Sequence, residues 1–190
     1  MANKNRFWKM FAAVLVFGMV LLGCPNDTTG EKYDVWSNVT DLNQLNGTWK
    51  GSYSQTQTIK EMIVALGETW EEGMSTTFGD MKVTTLTEIT TTIKSADKTQ
   101  SFSFKITMTF SGGNIDTAWT MIKEGFNSES YTIDDSKHSI TTQYGHDLPI
   151  KDEDIAKMLK GFQINQNGTK MKIPADDMSE GSPEVVMIKQ

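Results

Sequence analysis

The sequence predicts a mainly β protein, an up-and-down antiparallel chain of about eight strands with one or two short inserted helices. The strongest observation is an alternation of polar residues with five apolar ones: Phe102, Phe104, Ile106, Met108 and Phe110. A strict period of two is typical of a strand with one buried and one solvated face. A second alternating, β-branched run from Val83 to Ile93 precedes it, and Ser95–Lys98 joins the two into a long antiparallel hairpin.

The front of the domain combines one strand with one helix. Thr48–Gln55 has the composition of the first strand. Apolar residues at helical spacing follow it: Ile59, Met62, Ile63, Leu66 and Trp70. Because Thr58 and Glu61 form a capping-box signature just ahead of this run, we predict an amphipathic helix over Thr58–Trp70 that ends near Gly67 or Gly73.

The middle of the chain continues with short strands. A turn at Ser111–Asn114 leads into a strand predicted through Trp119 and Met121. Two further strands, Tyr131–Ile133 and Ser139–Tyr144, are predicted on either side of a turn that begins at Asp134.

The last third carries a helix and three strands. Asp152–Lys160 begins with acidic residues and is followed by Gly161, which predicts a short helix. Asn167-Gly168 lies between two extended runs and is a strong hairpin signal. The strands predicted here are Phe162–Gln166, Thr169–Ile173 and Val185–Lys189.

The first 23 residues have the layout of a secretory signal peptide. Lys4, Arg6 and Lys9 form a basic start, and an uncharged apolar segment of 13 residues runs from Met10 to Leu22. A membrane-spanning helix needs about 20 apolar residues, so this segment is too short to be one. We therefore expect an exported protein.

Leu21-Leu22-Gly23-Cys24 resembles the lipobox of bacterial lipoproteins. The resemblance implies cleavage before Cys24, acylation of its sulfur with a diacylglycerol and usually a third acyl chain. The protein would then be held by lipid at the inner or outer membrane of the cell envelope. The alternative is an incidental thiol. Residues 24–40 are predicted to be a lipidated N-terminus and flexible tether, since 25–31 are polar and contain Pro and Gly.

The mature chain from Cys24 would be strongly acidic. It has 167 residues, with 15 basic and 24 acidic side chains and a net charge of −9. A field of this sign disfavours nucleic acid and anionic membrane surfaces as partners. The length suits one domain, predicted over 41–190.

Gly47-Thr48-Trp49, entering the first strand after the turn Leu42–Leu45, resembles the start of the lipocalin and lipocalin-like (calycin) families. The resemblance implies an eight-stranded closed barrel whose floor is plugged by Trp49. It also implies a basic residue from the last strand packed on that indole, for which Lys189 is the candidate. A glycine allows the strand to bend there, and an indole fills a wide end with apolar area.

The interior of such a barrel either holds one small ligand or is filled by side chains. The inward set that would line a cavity comprises Phe102, Phe104, Ile106, Met108, Phe110, Ile89 and Ile93, with Trp119 or Met121 nearby. Large apolar side chains could form an adaptable hydrophobic site. The opposing interpretation is that the same residues form only the core.

The residues needed for enzymatic chemistry or metal binding do not form a recognisable pattern. His138 and His146 are the only histidines, and neither has a zinc-ligand spacing even with Asp134 or Asp135. Asp152–Asp154 is better explained as the first turn of a helix than as a calcium loop. We therefore expect no enzyme, no metal and no cofactor.

Two hypotheses remain open. The first is a lipid-anchored envelope protein that binds a small hydrophobic or amphiphilic molecule. The second is an envelope structural or interaction protein with a filled barrel, whose loops or Thr58–Trp70 helix contact a protein partner.

Overall fold

A computed structural model describes residues 34–65, 69–70, 72–126, 130–173 and 185–190. The predicted signal peptide, the lipobox and Cys24 lie outside the described residues. The same is true of the first part of the predicted tether.

The described chain is mainly β, as predicted. Its strands are β1 Trp36–Asn38, β2 Gly47–Thr58, β3 Lys82–Lys94, β4 Thr99–Ser111, β5 Tyr131–Asp134, β6 Ser139–Pro149, β7 Gln163–Asn165, β8 Lys170–Ile173 and β9 Val185–Lys189. Its α-helices are α1 Ile59–Ala65, α2 Glu72–Phe78, α3 Ile115–Gly125 and α4 Asp152–Gly161. Leu42–Leu45 forms a 3₁₀ helix just before β2. None of the helices within the described ranges is long and apolar enough to span a membrane.

The strands form one antiparallel sheet in the order β1-β7-β8-β9-β2-β3-β4-β6-β5. The last strand pairs with the first long one, with Trp49 opposite Lys189 and Lys50 opposite Ile188. The described sheet is not closed, because β1 and β5 remain at its two ends. The eight-stranded closed barrel is therefore not confirmed, whereas the antiparallel β fold is.

The described residues divide into two compact units. Unit 1 comprises 54–86 and 106–143, and unit 2 comprises 34–53, 87–105 and 144–190, apart from the undescribed positions in each. Each unit has its own hydrophobic core. The site described below lies entirely in unit 2.

The long hairpin of β3 and β4 is confirmed. Along β3 the buried residues alternate with partly or fully exposed ones from Val83 to Ile93. Lys98 closes the turn in the left-handed region at a φ of 48°, and its amide donates to Ser95 O at 3.3 Å. The strict period of two in the sequence thus gives two strands of equal length.

The strand predicted through Trp119 and Met121 is wrong, since these residues lie in α3. Two alternating apolar residues satisfy a period of two, but the side chains buried here recur at helical spacing: Ala118, Trp119, Ile122 and Phe126. Asp116 in the first turn and Lys123 in the last turn also complement the helix dipole.

The capping box predicted for the first helix is confirmed. The Glu61 carboxylate accepts from the Thr58 amide at 2.7 Å, and the Glu61 amide donates to Thr58 Oγ1 at 3.1 Å. Within the described residues α1 runs from Ile59 to Ala65, and the predicted stop signal at Gly67 lies outside them, but Trp70 is described and is not helical. Trp70 therefore lies outside it, and α2 is a separate short helix.

The predicted flexible tether reached to residue 40, but the chain is already a strand at Trp36. β1 pairs antiparallel with β7 over three residues. A local network holds this edge: Asp34 accepts from Lys170 Nζ at 2.6 Å, and Asn165 donates to Asp34 at 3.3 Å. The buried Asn165 also accepts the amides of Thr169 and Lys170 at 2.9 Å each, which stabilises the β7–β8 turn at Asn167-Gly168.

The stability that Asp34 provides is expected to depend on pH. Hydrogen bonds from Lys170 and then from Asn165 hold the pKa of the Asp34 carboxyl below its ordinary value of 3.8. A lowered folded-state pKa means that the contribution is fully present above 3.8 and disappears as the pH falls through the folded value. Asp34→Asn should therefore be less stable than wild type in urea unfolding at neutral pH, and the difference should shrink in acid.

The matched control is Asp97→Asn, which alters an exposed carboxylate in the β3–β4 turn. A difference between Asp34→Asn and wild type that stays constant from neutral pH to about pH 3 would contradict the ion-pair assignment.

Candidate functional site

Four aromatic side chains of unit 2 form a half-exposed group that we call the aromatic cluster: Tyr53, Phe102, Phe104 and Tyr144. The rings of Phe102 and Phe104 are stacked with centroids 6.3 Å apart and planes 16° apart. Those of Phe104 and Tyr144 are 5.4 Å and 21° apart. Three nearly parallel rings therefore stand in a row across two strands.

Strand geometry places these rings. Phe102 and Phe104 are two residues apart on β4, so their side chains leave the same face of the sheet. Tyr144 is on β6, and Tyr53 is on β2 at the same period of two as the buried Trp49. Residues far apart in sequence thus meet on one face.

The aromatic cluster packs against the core of unit 2 but is not enclosed by it. Tyr53 and Phe104 pack against the buried core of unit 2, whose members include Ile89 and Trp49. Tyr144 is 40% exposed, and Leu148 on the same strand is 51% exposed. Large apolar side chains that are exposed but rest on a packed core are typical of a surface that binds an apolar ligand.

The electrostatics of Tyr144 agree with this position. Burial raises the pKa of its phenol above the ordinary value of 10.0, and the neighbouring Tyr53 adds to the effect. The Tyr144 phenol is therefore a neutral hydrogen-bonding group at physiological pH. The aromatic cluster thus offers apolar ring faces together with phenol hydroxyls, which suits an amphiphilic ligand.

The sequence-predicted ligand-binding residues do not all lie together. Phe102 and Phe104 belong to the aromatic cluster, but the others belong to the buried core of unit 1: Ile106, Met108, Phe110 and Trp119. Phe110 and Trp119 pack with ring centroids 6.0 Å apart, and each is at least 95% buried. Met121 is partly buried against the same core, whereas Ile89 and Ile93 are buried in unit 2.

The Gly47-Thr48-Trp49 motif has a clear physical role. Trp49 is fully buried, and its Nε1 donates to Leu45 O at 2.7 Å. Lys189 Nζ lies 5.1 Å from the centroid of the indole ring, where the resemblance placed a basic residue. Gly47 has a φ of +125°, which side chains rarely adopt, so the conformation favours glycine; a Cβ there would also displace the flexible end of Lys189, whose Cε would be 2.9 Å away.

The two histidines lie apart. His146 is exposed in unit 2. His138, in unit 1, packs edge-on against Trp119 with centroids 5.3 Å apart, and its Nε2 is 3.9 Å from Asp116 Oδ1. Asp135 accepts from Trp119 Nε1 and Lys123 Nζ, which occupies that carboxylate structurally. Among the described residues, no three His, Cys, Asp or Glu side chains are close enough together to hold a metal ion.

The acidic run Asp152–Asp154 forms the first turn of α4, as predicted. There the three carboxylates lie next to the positive end of the helix dipole. Lys98 also donates to Asp152 at 2.7 Å.

Sequence reasoning missed Tyr53 and Tyr144 as members of the site. Both continue a period-two series, Tyr53 after Trp49 and Gly51, and Tyr144 after Ile140 and Thr142. That signal places each on an inward face, but only strand pairing brings them together.

Comparison with protein-family models, with curated proteins and with solved structures finds no match to this chain.

Proposed function

We propose that this protein is a membrane-anchored lipoprotein of the cell envelope that binds a small hydrophobic or amphiphilic molecule at the aromatic cluster. The observation that carries the proposal is the row of half-exposed, nearly parallel rings of Phe102, Phe104 and Tyr144. A protein that buried these rings only for stability would gain by covering Tyr144, which is instead 40% exposed.

The anchoring half of the proposal rests on the sequence around Cys24. A basic start, a short apolar segment and Leu21-Leu22-Gly23-Cys24 are the features of a lipoprotein signal. A mature chain of net charge −9 is repelled by anionic lipid surfaces, so a lipid tether would supply the attachment that the surface does not.

We further propose that the fold is a lipocalin-like variant. The support is the Gly47–Trp49 motif with Lys189 over the indole, and the pairing of β9 with β2, which places the last strand of the chain beside the first long one. In the lipocalin resemblance this pairing is part of barrel closure. These contacts lie where the resemblance places the floor of the barrel.

The alternative function is an interaction protein without a small ligand. The observation that favours it is the filled core of unit 1, which buries four of the residues predicted to line a cavity: Ile106, Met108, Phe110 and Trp119. Exposed apolar side chains in unit 2, Val35 at 67% and Ile188 at 53%, would then be protein contacts.

A fluorescent probe distinguishes the two functions. N-phenyl-1-naphthylamine, which fluoresces in apolar surroundings, is expected to bind the full chain, and Tyr144→Ala should weaken that binding about tenfold because one ring face is lost. The readout is a fluorescence titration of wild type and variant.

The matched control is Leu86→Ala, which removes a side chain of similar exposure from β3 in unit 1. It should leave probe affinity unchanged. If the probe does not bind, or if Tyr144→Ala binds it as wild type does, the aromatic cluster is not a ligand site and the interaction protein is favoured.

A further inference from the structure

A second surface of unit 2 has the chemistry of a different ligand. It is a groove of about 390 Å³ lined by Thr90, Thr92, Ser101, Phe102, Ser103, Gly145, His146 and Asp147. We infer that this groove, hereafter the hydroxyl groove, binds a neutral saccharide.

The alternation of the long hairpin creates the hydroxyl groove. Thr90 and Thr92 of β3 lie between the buried residues Ile89, Thr91 and Ile93, so they point away from the core. Ser101 and Ser103 of β4 are half-exposed and follow the buried Gln100. Two hydroxyls from each of two neighbouring strands therefore share one face.

Gly145 keeps the groove open on the β6 side. A Cβ at this position would lie 2.7 Å from Phe102 O and 3.6 Å from Ser103 Cβ. Any side chain at 145 would therefore occupy the space beside Ser103. The glycine lets β6 approach β4 closely while leaving that space to a ligand.

The lining selects the class of ligand by hydrogen bonding. Hydroxyl groups both donate and accept, and the Asp147 carboxylate accepts. A saccharide presents many hydroxyls that need donors and acceptors, which such a lining supplies.

The lining also argues against other classes of ligand. It contains one carboxylate and no lysine or arginine, so a phosphate or another anion would meet no fixed positive charge. Phe102 is its one large apolar residue, but the Phe102 side chain leaves the opposite face of β4 from Ser101 and Ser103, so the groove offers little apolar surface to a hydrocarbon chain. One hydroxyl is already oriented, since Thr92 Oγ1 lies 2.9 Å from Thr48 Oγ1.

The test uses the full chain in phosphatidylcholine nanodiscs and three neutral oligosaccharides: chitotetraose, cellotetraose and maltotetraose. We expect at least one to bind with a Kd of about 10 μM to 1 mM. Thr90→Val combined with Ser101→Ala should weaken that binding about tenfold, since two neutral hydrogen bonds are lost. Asp147→Asn changes only an exposed side chain and should weaken binding without affecting folding.

Two controls separate the hydroxyl groove from the rest of the sheet. Thr109→Val removes a half-exposed hydroxyl from the same strand outside the groove and should leave the Kd unchanged. Tyr144→Ala should also leave it unchanged, which keeps this test independent of the aromatic cluster. The inference is overturned if none of the three oligosaccharides binds at about 10 mM, or if the double variant and Asp147→Asn bind as wild type does.

Discussion

Replacing Trp49 with alanine is expected to lower the free energy of unfolding by about 3–5 kcal/mol. The side chain is fully buried in unit 2, so its loss leaves a large cavity among Leu45, Met171 and Met187. The hydrogen bond from Trp49 Nε1 to Leu45 O is lost as well, which leaves that carbonyl without this donor. The packing of Lys189 on the indole contributes less, about 0.5–1 kcal/mol at an exposed site.

The measurement is thermal and urea unfolding of Trp49→Ala against wild type, with an expected fall in Tm of about 6–20 °C. Lys50→Ala is the matched control, because the next residue on β2 is exposed and its truncation should shift Tm little. Lys189→Ala should produce a small fraction of the Trp49→Ala effect. A Tm for Trp49→Ala within a degree or so of wild type would contradict the assignment of the indole as the central core residue of unit 2.

Replacing Cys24 with alanine is expected to release the protein from the membrane fraction. If this cysteine carries a diacylglycerol and a third chain, its removal eliminates every acyl chain at once. Each buried methylene contributes about 0.8 kcal/mol of membrane-binding free energy. The loss of two or three acyl chains therefore removes more binding free energy than a polar protein surface could supply. The mature charge of −9 would oppose rather than support residual binding to anionic lipid.

Fractionation of cells expressing wild type and Cys24→Ala measures this effect. Mass spectrometry of the recovered chains then shows whether residues 1–23 are removed and whether acyl mass is present. Asn26→Ala is the control, because it changes the tether and leaves Leu21-Leu22-Gly23-Cys24 intact. An unacylated wild-type chain, or a cleaved Cys24→Ala chain that stays in the membrane fraction, would refute lipid anchoring through this residue.

The sequence predicted the fold best where the local pattern was long. Buried residues alternate with partly or fully exposed ones along β3, and the apolar residues of β4 recur at every second position from Phe102 to Phe110. An unbroken period of two over that length has no helical interpretation. The prediction failed where the pattern was short. Trp119 and Met121 fit a strand, yet Ala118, Ile122 and Phe126 show that the helical face buries more apolar area.

The candidate site could be predicted only in part. Phe102 and Phe104 follow from the alternation of one strand. Their separation from Ile106, Met108 and Phe110 does not, because all five share one period-two face in the sequence. What distinguishes them is the surroundings: the last three are buried by the helices and strands of unit 1, whereas the first two stay half-exposed.

The sequence by itself determined most of the strands, though not β1 and not the helix that contains Trp119. These strands follow from alternation and turn chemistry, which are local, whereas the basic partner of Trp49 was an expectation from the lipocalin resemblance. The tertiary structure alone decided that Tyr144 stacks on Phe104, and it places Lys189 opposite Trp49, for which the sequence had offered only a candidate. Such contacts depend on the register between strands far apart in the chain, and register is set by the combined burial of many side chains.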